Sequence, residues 1–396
     1  MPPSTLAYAT ARRVDATLVA RGLPNRVREL PSSTRTASEA ALAVGCRERQ
    51  IVKSLVFRGR SSGSAILCLV AGDHRLDEQW MRQYVGEPLD RADPEFVRSR
   101  TGFAIGGVPP LGHPTGLPTF VDYDLLELPE VWAAAGHPHA VCRLSPFELL
   151  VMTDGKPVSV VPLTVRDEGA WVTFDCYGTL VDWRAGFALA ARQSLRPLTA
   201  ADADRLFDAY LRREREIETA PYRPSRALLA EGTIAAGRQL GLSVSAADAD
   251  AIAASVPEWP TFPDARPALD AVHRAGRRVA ILSNIDRDLL DATISRNGLS
   301  VDLTIVAEEV RSYKPALGHW VRFLKTTAAR PEETLHVSGA YEYDLPPAAR
   351  LGFRTAYVAR HGEEAPGPDV HAVVRSRTEL PAVLPRRHGG KEGDAE

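Results

Sequence analysis

The feature that most constrains this chain is a strict alternation, over roughly residues 170 to 380, of short β-like runs with helical or loop segments. The runs are "WVTFD", "RVAILS", "DLTIV", "TLHVS" and "RTAYV". Short apolar runs of this kind, separated by helices, predict a parallel sheet covered on both faces. In such a sheet the chemistry gathers at the carboxyl ends of the strands. Between the first two runs, residues from about 183 to 262 are helical in pattern. That is too long for a simple strand-to-helix loop, so an inserted helical cap is expected.

The pattern ahead of residue 165 is different. Residues 5 to 21 have helical spacing, and "VREL", "IVKSLVF", "AILCLVAG", "TFVDYDLL" and "HAVCRL" read as strands set among helices and the Gly/Pro-rich loop "IGGVPPLGHPTGLP". This irregular mixture, ending near "PVSVVPL", predicts a compact α+β domain. With 396 residues, two domains are expected. The boundaries fall at 1–165 and 166–385, with "VRDEGA" as a linker and the last eleven residues, 386–396, as a disordered tail.

Composition narrows the classes. A 44% apolar content supplies real cores, and no apolar run reaches the roughly 18 residues of a membrane span. Arg12 and Arg13 interrupt the N-terminus before any signal-like stretch develops, so a cytoplasmic location is expected. Cys46, Cys68, Cys142 and Cys176 form no Cys-x-x-Cys pair, and reduced thiols are expected rather than a zinc site or disulfides. Residues 1 to 60 hold eleven Lys or Arg against four Asp or Glu, a local excess suited to a polyanion. Only five of the 48 basic residues are lysine (Lys53, Lys156, Lys314, Lys325, Lys391). A lysine inside a motif is therefore informative, because ammonium and guanidinium are not interchangeable in a tight site.

Four strand ends of the second domain carry reactive groups: Asp175 with Thr179, Ser283 with Asn284, Lys314, and Ser338 through Asp344. The physical reading is nucleophilic catalysis by Asp175, with Lys314 holding its pKa down. "FDCYGTL", "ILSN", "VRSYKP" and "HVSGAYEYDLPPAARLGFRTAYV", in that order, resemble the haloacid dehalogenase superfamily, which implies an α/β Rossmann-like domain with an inserted cap. Tyr177 stands where the phosphatase branch has its second Asp, and Ser338-Gly339 where that branch has the Gly-Asp pair that holds magnesium. Asp-x-Tyr-Gly-Thr resembles the L-2-haloacid dehalogenases, which work without metal through an aspartyl ester. That resemblance implies Asp175 as nucleophile, Thr179 as its hydrogen-bond donor and Lys314 as its cationic partner. It further implies Ser283 and Asn284 as binders of a small carboxylate substrate, Arg213 in "YLRREREIE" as halide binder with Arg212 one register away, and Asp344 as the group orienting water. Neither cofactor nor metal is expected. The structural alternatives are an Asp175–Lys314 ion pair without chemistry, Ser283 and Asn284 as caps of the helix beginning "IDRDLL", and Arg213 on a solvated face. The competing enzyme reading is a small-molecule phosphatase.

In the first domain Lys53 interrupts an apolar run, and "GGVPPLG" offers backbone N–H groups that no side chain obstructs. Together these make an anion or carbonyl site. "IVKSL", "AGDHRLD", "TGFAIGGVPPLGH" and "WAAAGHP" resemble the YbaK-type aminoacyl-tRNA deacylases over residues 5 to 162. The resemblance implies hydrolysis of the ester joining a wrongly attached amino acid to tRNA. Lys53 would hold the acceptor end, Gly106, Gly107 and Gly112 would shape the pocket wall, and the loop at Gly136 would border the amino acid. No protein nucleophile is expected. His113 and His137 are candidate bases or simply solvent-facing loop residues. The non-enzymatic alternative is a tRNA-binding module with a dead hydrolase domain.

Overall fold

The computed structural model describes residues 6–34, 36–163, 170–217, 221–360 and 367–385. The chain divides into two compact units, Met1–Thr164 and Val165–Glu396. All but the last residue of the anticipated linker, and the whole of the anticipated tail 386–396, lie outside the described residues.

The first unit is built on one mixed sheet. Its strands are β1 (Val27–Glu29), β2 (Ile51–Gly59), β3 (Ala65–Ala71), β4 (Leu89–Arg91), β5 (Thr119–Asp122), β6 (Val131–Ala134), β7 (Ala140–Leu144) and β8 (Lys156–Val158), in the order β1-β7-β6-β2-β3-β5-β8 with β4 beside β2. The antiparallel pair β2–β3 runs from Val52↔Ala71 to Arg58↔Ala65, and every residue of β3 is buried. Burial on both faces explains why "AILCLVA" is apolar without alternation. Two strands, β4 and β6, were not anticipated, because "LDR" carries charge and "VWAA" has weak β propensity. The run "TFVDYDLL" is strand only to Asp122, whose carboxylate accepts the Asp124 N–H and starts the short helix Tyr123–Leu126.

The second unit is a parallel sheet of β9 (Trp171–Phe174), β10 (Arg278–Ser283), β11 (Leu303–Val306), β12 (Leu335–Ser338), β13 (Arg354–Val358) and β14 (Ala372–Val374). The order is β11-β10-β9-β12-β13-β14, and every pairing is parallel. The chain fills one side of β9 first and then crosses to the other. That makes the carboxyl end of β9 the topological switch point, where ligands bind in open α/β sheets. Between β9 and β10 stand the helices Trp183–Ser194, Ala200–Ile217, Ser225–Gln239 and Ala246–Ala254, a single turn at Val256–Glu258, and the helix Ala265–Arg274 that leads into β10.

Those helices share one apolar cluster with the sheet, in which Phe187, Phe207, Tyr210 and Trp259 join Phe174 and Val337. Buried Asp286 ties the helical insert to the sheet domain. It accepts the Tyr222 hydroxyl at 2.6 Å, the Ser225 N–H at 2.7 Å and the Ser225 hydroxyl at 3.0 Å.

Candidate active sites

In the second unit Asp175 follows β9 directly, and Gly178, at φ 93°, turns the chain so that Thr179 faces back toward it. The Thr179 hydroxyl donates to Asp175 Oδ2 at 2.8 Å and itself accepts the Gly339 N–H at 2.9 Å. Lys314 reaches the same place from the loop that follows β11 and the short helix Ala307–Val310. Its Nζ donates to Asp175 Oδ1 at 2.8 Å, Asp344 Oδ1 at 2.7 Å and the Leu282 carbonyl at 3.0 Å. Those three bonds use all three ammonium hydrogens.

Asp344 has no exposed surface. Besides Lys314 it accepts His336 Nε2–H at 3.0 Å and the Ser338 hydroxyl at 2.9 Å. The other nitrogen of His336 pairs with the Thr173 hydroxyl at 2.8 Å, so a strand histidine sets the carboxylate's position. With one ammonium between two carboxylates, the charges are uneven. Burial pushes the Asp175 carboxyl above its ordinary value, with the Asp344 charge adding to the rise, and Lys314 and Thr179 only partly offset this. Lys314 thus lowers the Asp175 carboxyl as expected, but burial outweighs it and the net shift is upward. Burial also works against Asp344, but Lys314 and His336 outweigh it and hold that carboxyl at about 2. Burial disfavours the Lys314 ammonium as well, and the two carboxylates more than compensate, so its pKa rises.

The remaining predicted residues divide. Ser283 ends β10 at the cavity, and its carbonyl accepts His319 Nε2–H at 3.0 Å. His319 is buried and its pKa falls to about 3, so it stays neutral. Asn284 brackets the Lys314 backbone: its Oδ1 accepts the Lys314 N–H at 2.7 Å, and its Nδ2 donates to the Lys314 carbonyl at 3.2 Å. It positions the lysine loop, and neither it nor Ser283 caps the following helix, whose N-cap residue is Asp286. Arg213 is not brought to the site. Its side chain is half exposed and paired with Glu216, and Arg212 is exposed too. Phe207, Tyr210, Leu211, Glu214 and Arg215 line the cavity from that helix, so the arginine it brings there is Arg215, paired with Glu342 at 3.4 Å, and not Arg213. Tyr177 lines the cavity as a ring, while its hydroxyl pairs with Thr293 at 2.9 Å and burial raises its pKa well above the usual value.

In the first unit Lys53 lies on β2 level with Val70 of β3, and its Nζ donates to the His74 carbonyl in the loop just beyond β3. Burial lowers its pKa, opposed by Asp73, Glu48 and Asp122. A buried Asp122, unnoticed in the sequence, holds that loop. It accepts the Ala71 N–H at 3.1 Å and His74 Nδ1–H at 2.9 Å. Asp124 pairs with Arg49 at 2.9 Å. His74, Asp122 and Asp124 bring possible metal-ligand atoms within 4.8 Å of one another, but those atoms already serve as loop clamp and ion pair. Gly107 packs on the backbone of Gly136 and His137, where an added Cβ would meet His137 Cα at 3.0 Å. Gly136, at φ 87°, lies against the Thr10 carbonyl, leaving 2.7 Å for a Cβ, so this position admits no side chain, whereas one at Gly107 would need His137 to give by a few tenths of an ångström. Gly106 and Gly112 turn the chain at φ 86° and 82°. His113 is tied to the Pro109 carbonyl at 2.9 Å, and His137 stacks on Tyr8 at 3.7 Å; burial lowers the pKa of both.

Fold and site together define a capped α/β domain with a buried Asp–Lys–Asp cluster, preceded by a mixed-sheet domain that carries Lys53 beside the loop held by Asp122. Residues 31–151 match the aminoacyl-tRNA editing domain family, and residues 170–352 match the haloacid dehalogenase-like hydrolases. The first unit thus carries an aminoacyl-tRNA editing domain and the second a haloacid dehalogenase-like hydrolase domain, both of them domains of hydrolase families. The uncharacterized protein YwhH of Bacillus subtilis (strain 168) is 34% identical over 125 residues, covering 32% of this chain and 79% of that protein. The (S)-2-haloacid dehalogenase 4A of Burkholderia cepacia is 28% identical over 198 residues, covering 48% of this chain and 82% of that one. A solved structure described as a putative trans-editing enzyme for prolyl tRNA synthetase is 52% identical and covers 40% of this chain and 99% of its own, with a TM-score of 0.38. Among the described residues no helix is long and apolar enough to cross a membrane.

Proposed function

We propose that the second unit hydrolyses a 2-substituted small carboxylate, of the 2-haloacid kind, through an ester on Asp175. The observation that carries this reading is the Asp175–Lys314–Asp344 cluster, with Thr179 on the second oxygen of Asp175. Lys314 and Thr179 fix both oxygens and leave the attacking lone pair aimed into the cavity. Asp175 displaces the halide from carbon 2, and the halide leaves with the bonding electrons. Water then adds to the Asp175 carboxyl carbon, and the 2-hydroxy acid departs carrying the former Asp175 oxygen and one of the water's protons, the other proton passing to solvent. A halide needs no proton, which suits a site whose Tyr177 hydroxyl is turned away to Thr293. Asp344, which accepts Lys314, His336 and Ser338, positions Lys314. A single turnover in isotopically heavy water should put the label in the Asp175 carboxylate. Label in the product alone would mean direct attack by water and would remove Asp175 as nucleophile.

For the first unit we propose deacylation of mischarged aminoacyl-tRNA, supported by the editing-domain match and by Lys53 held beside the Asp122 loop clamp. Lys53 offers a compact cation to the acceptor end. Charge-assisted bonds of this kind contribute about 1.5–3 kcal/mol, so Lys53→Ala should slow deacylation roughly ten- to a hundredfold while the second unit's activity persists. Unchanged deacylation across a panel of mischarged tRNAs would rule the assignment out.

A further inference from the structure

We infer that the preferred substrate of the second unit carries an aromatic ring on its 2-substituent. This rests on the reading of Asp175 as nucleophile toward a 2-substituted carboxylate. The cavity at Asp175 measures about 750 Å³. That falls in the range of pockets for ligands of some tens of atoms, about 300–1,000 Å³, and an acid of two or three carbons would leave most of it unfilled.

The walls indicate what fills the rest. Tyr177, Trp183, Phe207, Tyr210, Trp259 and Phe262 line it. Trp183 stands edge-on to Tyr177, Phe207 and Tyr210 at centroid distances of 6.4, 5.8 and 6.0 Å, and Tyr177 meets Trp259 at 6.3 Å and 88°. These contacts fix the rings in advance. Three of their polar ends are engaged: the Trp259 N–H with Ser255, the Tyr177 hydroxyl with Thr293 and the Tyr210 hydroxyl with Glu214, while the buried Trp183 N–H has no hydrogen-bond partner among the described residues. What they present is largely flat hydrocarbon in fixed edge-to-face orientations, a geometry that receives another ring better than a flexible chain. Near Asp175 the floor is small, because Gly178 has open space where a Cβ would stand and Ala340 also lines it. The cavity therefore combines the reacting carboxylate with an aromatic wall, and Asp182, Arg184, Glu214, Arg215 and Arg360 add charged groups to its lining.

The test compares halide release from 2-chloropropanoate, 2-chlorohexanoate and 2-chloro-3-phenylpropanoate by the full-length protein. We expect kcat/KM for the phenyl acid to exceed both others by at least about tenfold, the scale on which apolar pockets discriminate. Equal or better turnover of the alkyl acids would overturn the aromatic assignment while leaving the Asp175 chemistry in place. Calorimetric binding of 3-phenylpropanoate against propanoate reads the cavity without the chemistry. Tighter binding of the phenyl acid supports the assignment even if no chloro acid reacts, an outcome that would count only against the proposed reaction. Equal binding overturns it. Leu211→Trp, which fills part of the cavity, should lower the phenyl-over-methyl ratio by about tenfold, and an unchanged ratio would contradict the ring's placement there.

Discussion

Lys314 serves two carboxylates at once, and that sharing sets how the second unit responds to acid. Asp175 must be ionised to attack, yet burial and the neighbouring Asp344 raise its pKa. Activity should therefore be lost at a pH above the ordinary aspartate value of about 3.9, with an apparent pKa that belongs to the pair. Stability follows a different course. A raised carboxyl favours the folded chain when protonated, so acid costs nothing at Asp175. Asp344, held at about 2, contributes stability above the unfolded aspartate value and loses it only as pH falls toward 2. Single-turnover ester formation and circular dichroism followed over the same pH series should show chemistry failing first; coincident loss would contradict this account. Asp175, Thr179, Lys314 and Asp344 were legible because each follows a strand end at a spacing the sheet dictates. Arg213 was not, since "RREREIE" is charged nearly all round and only packing at Phe207 and Tyr210 fixes which face turns inward. His336 was hidden because a histidine inside "LHVS" looks like one more strand position, and its partners Thr173 and Asp344 come from other segments.

Among the elements, the latch at Asp286 makes the most definite claim. One carboxylate satisfies the Tyr222 hydroxyl and both Ser225 donors, where the helical insert meets the loop that follows β10. Asp286→Ala would leave these donors without their acceptor, at about 1–3 kcal/mol for each group that stays buried. We expect the second unit to lose roughly 2–4 kcal/mol in urea unfolding and its KM to rise as the insert loosens; unchanged values for both would show that the latch holds nothing. Strand and helix types were readable wherever apolar residues were dense. β4, β6 and β14 were missed because three- and four-residue strands give too little pattern, and β4 and β6 take their places beside β2, which is distant in sequence.

At the scale of the whole molecule, the switch from irregular mixture to strict alternation was visible because the two sheets bury their strands differently: the first mixes directions, and the second is parallel throughout. The placement of lysine has a practical consequence. Of the four lysines among the described residues, Lys156 is exposed, Lys53 and Lys325 are half-buried, and Lys314 is buried. An amine-acylating reagent at mildly alkaline pH needs the free base. Lys53, with its lowered pKa, supplies more of it than an ordinary lysine, whereas Lys314 combines a raised pKa with almost no accessible surface. Mass-spectrometric footprinting with one reagent would thus carry two separate signals. Protection at Lys53 would report occupancy of the first unit's site, and the first appearance of a tag on Lys314 would report that the second unit has opened.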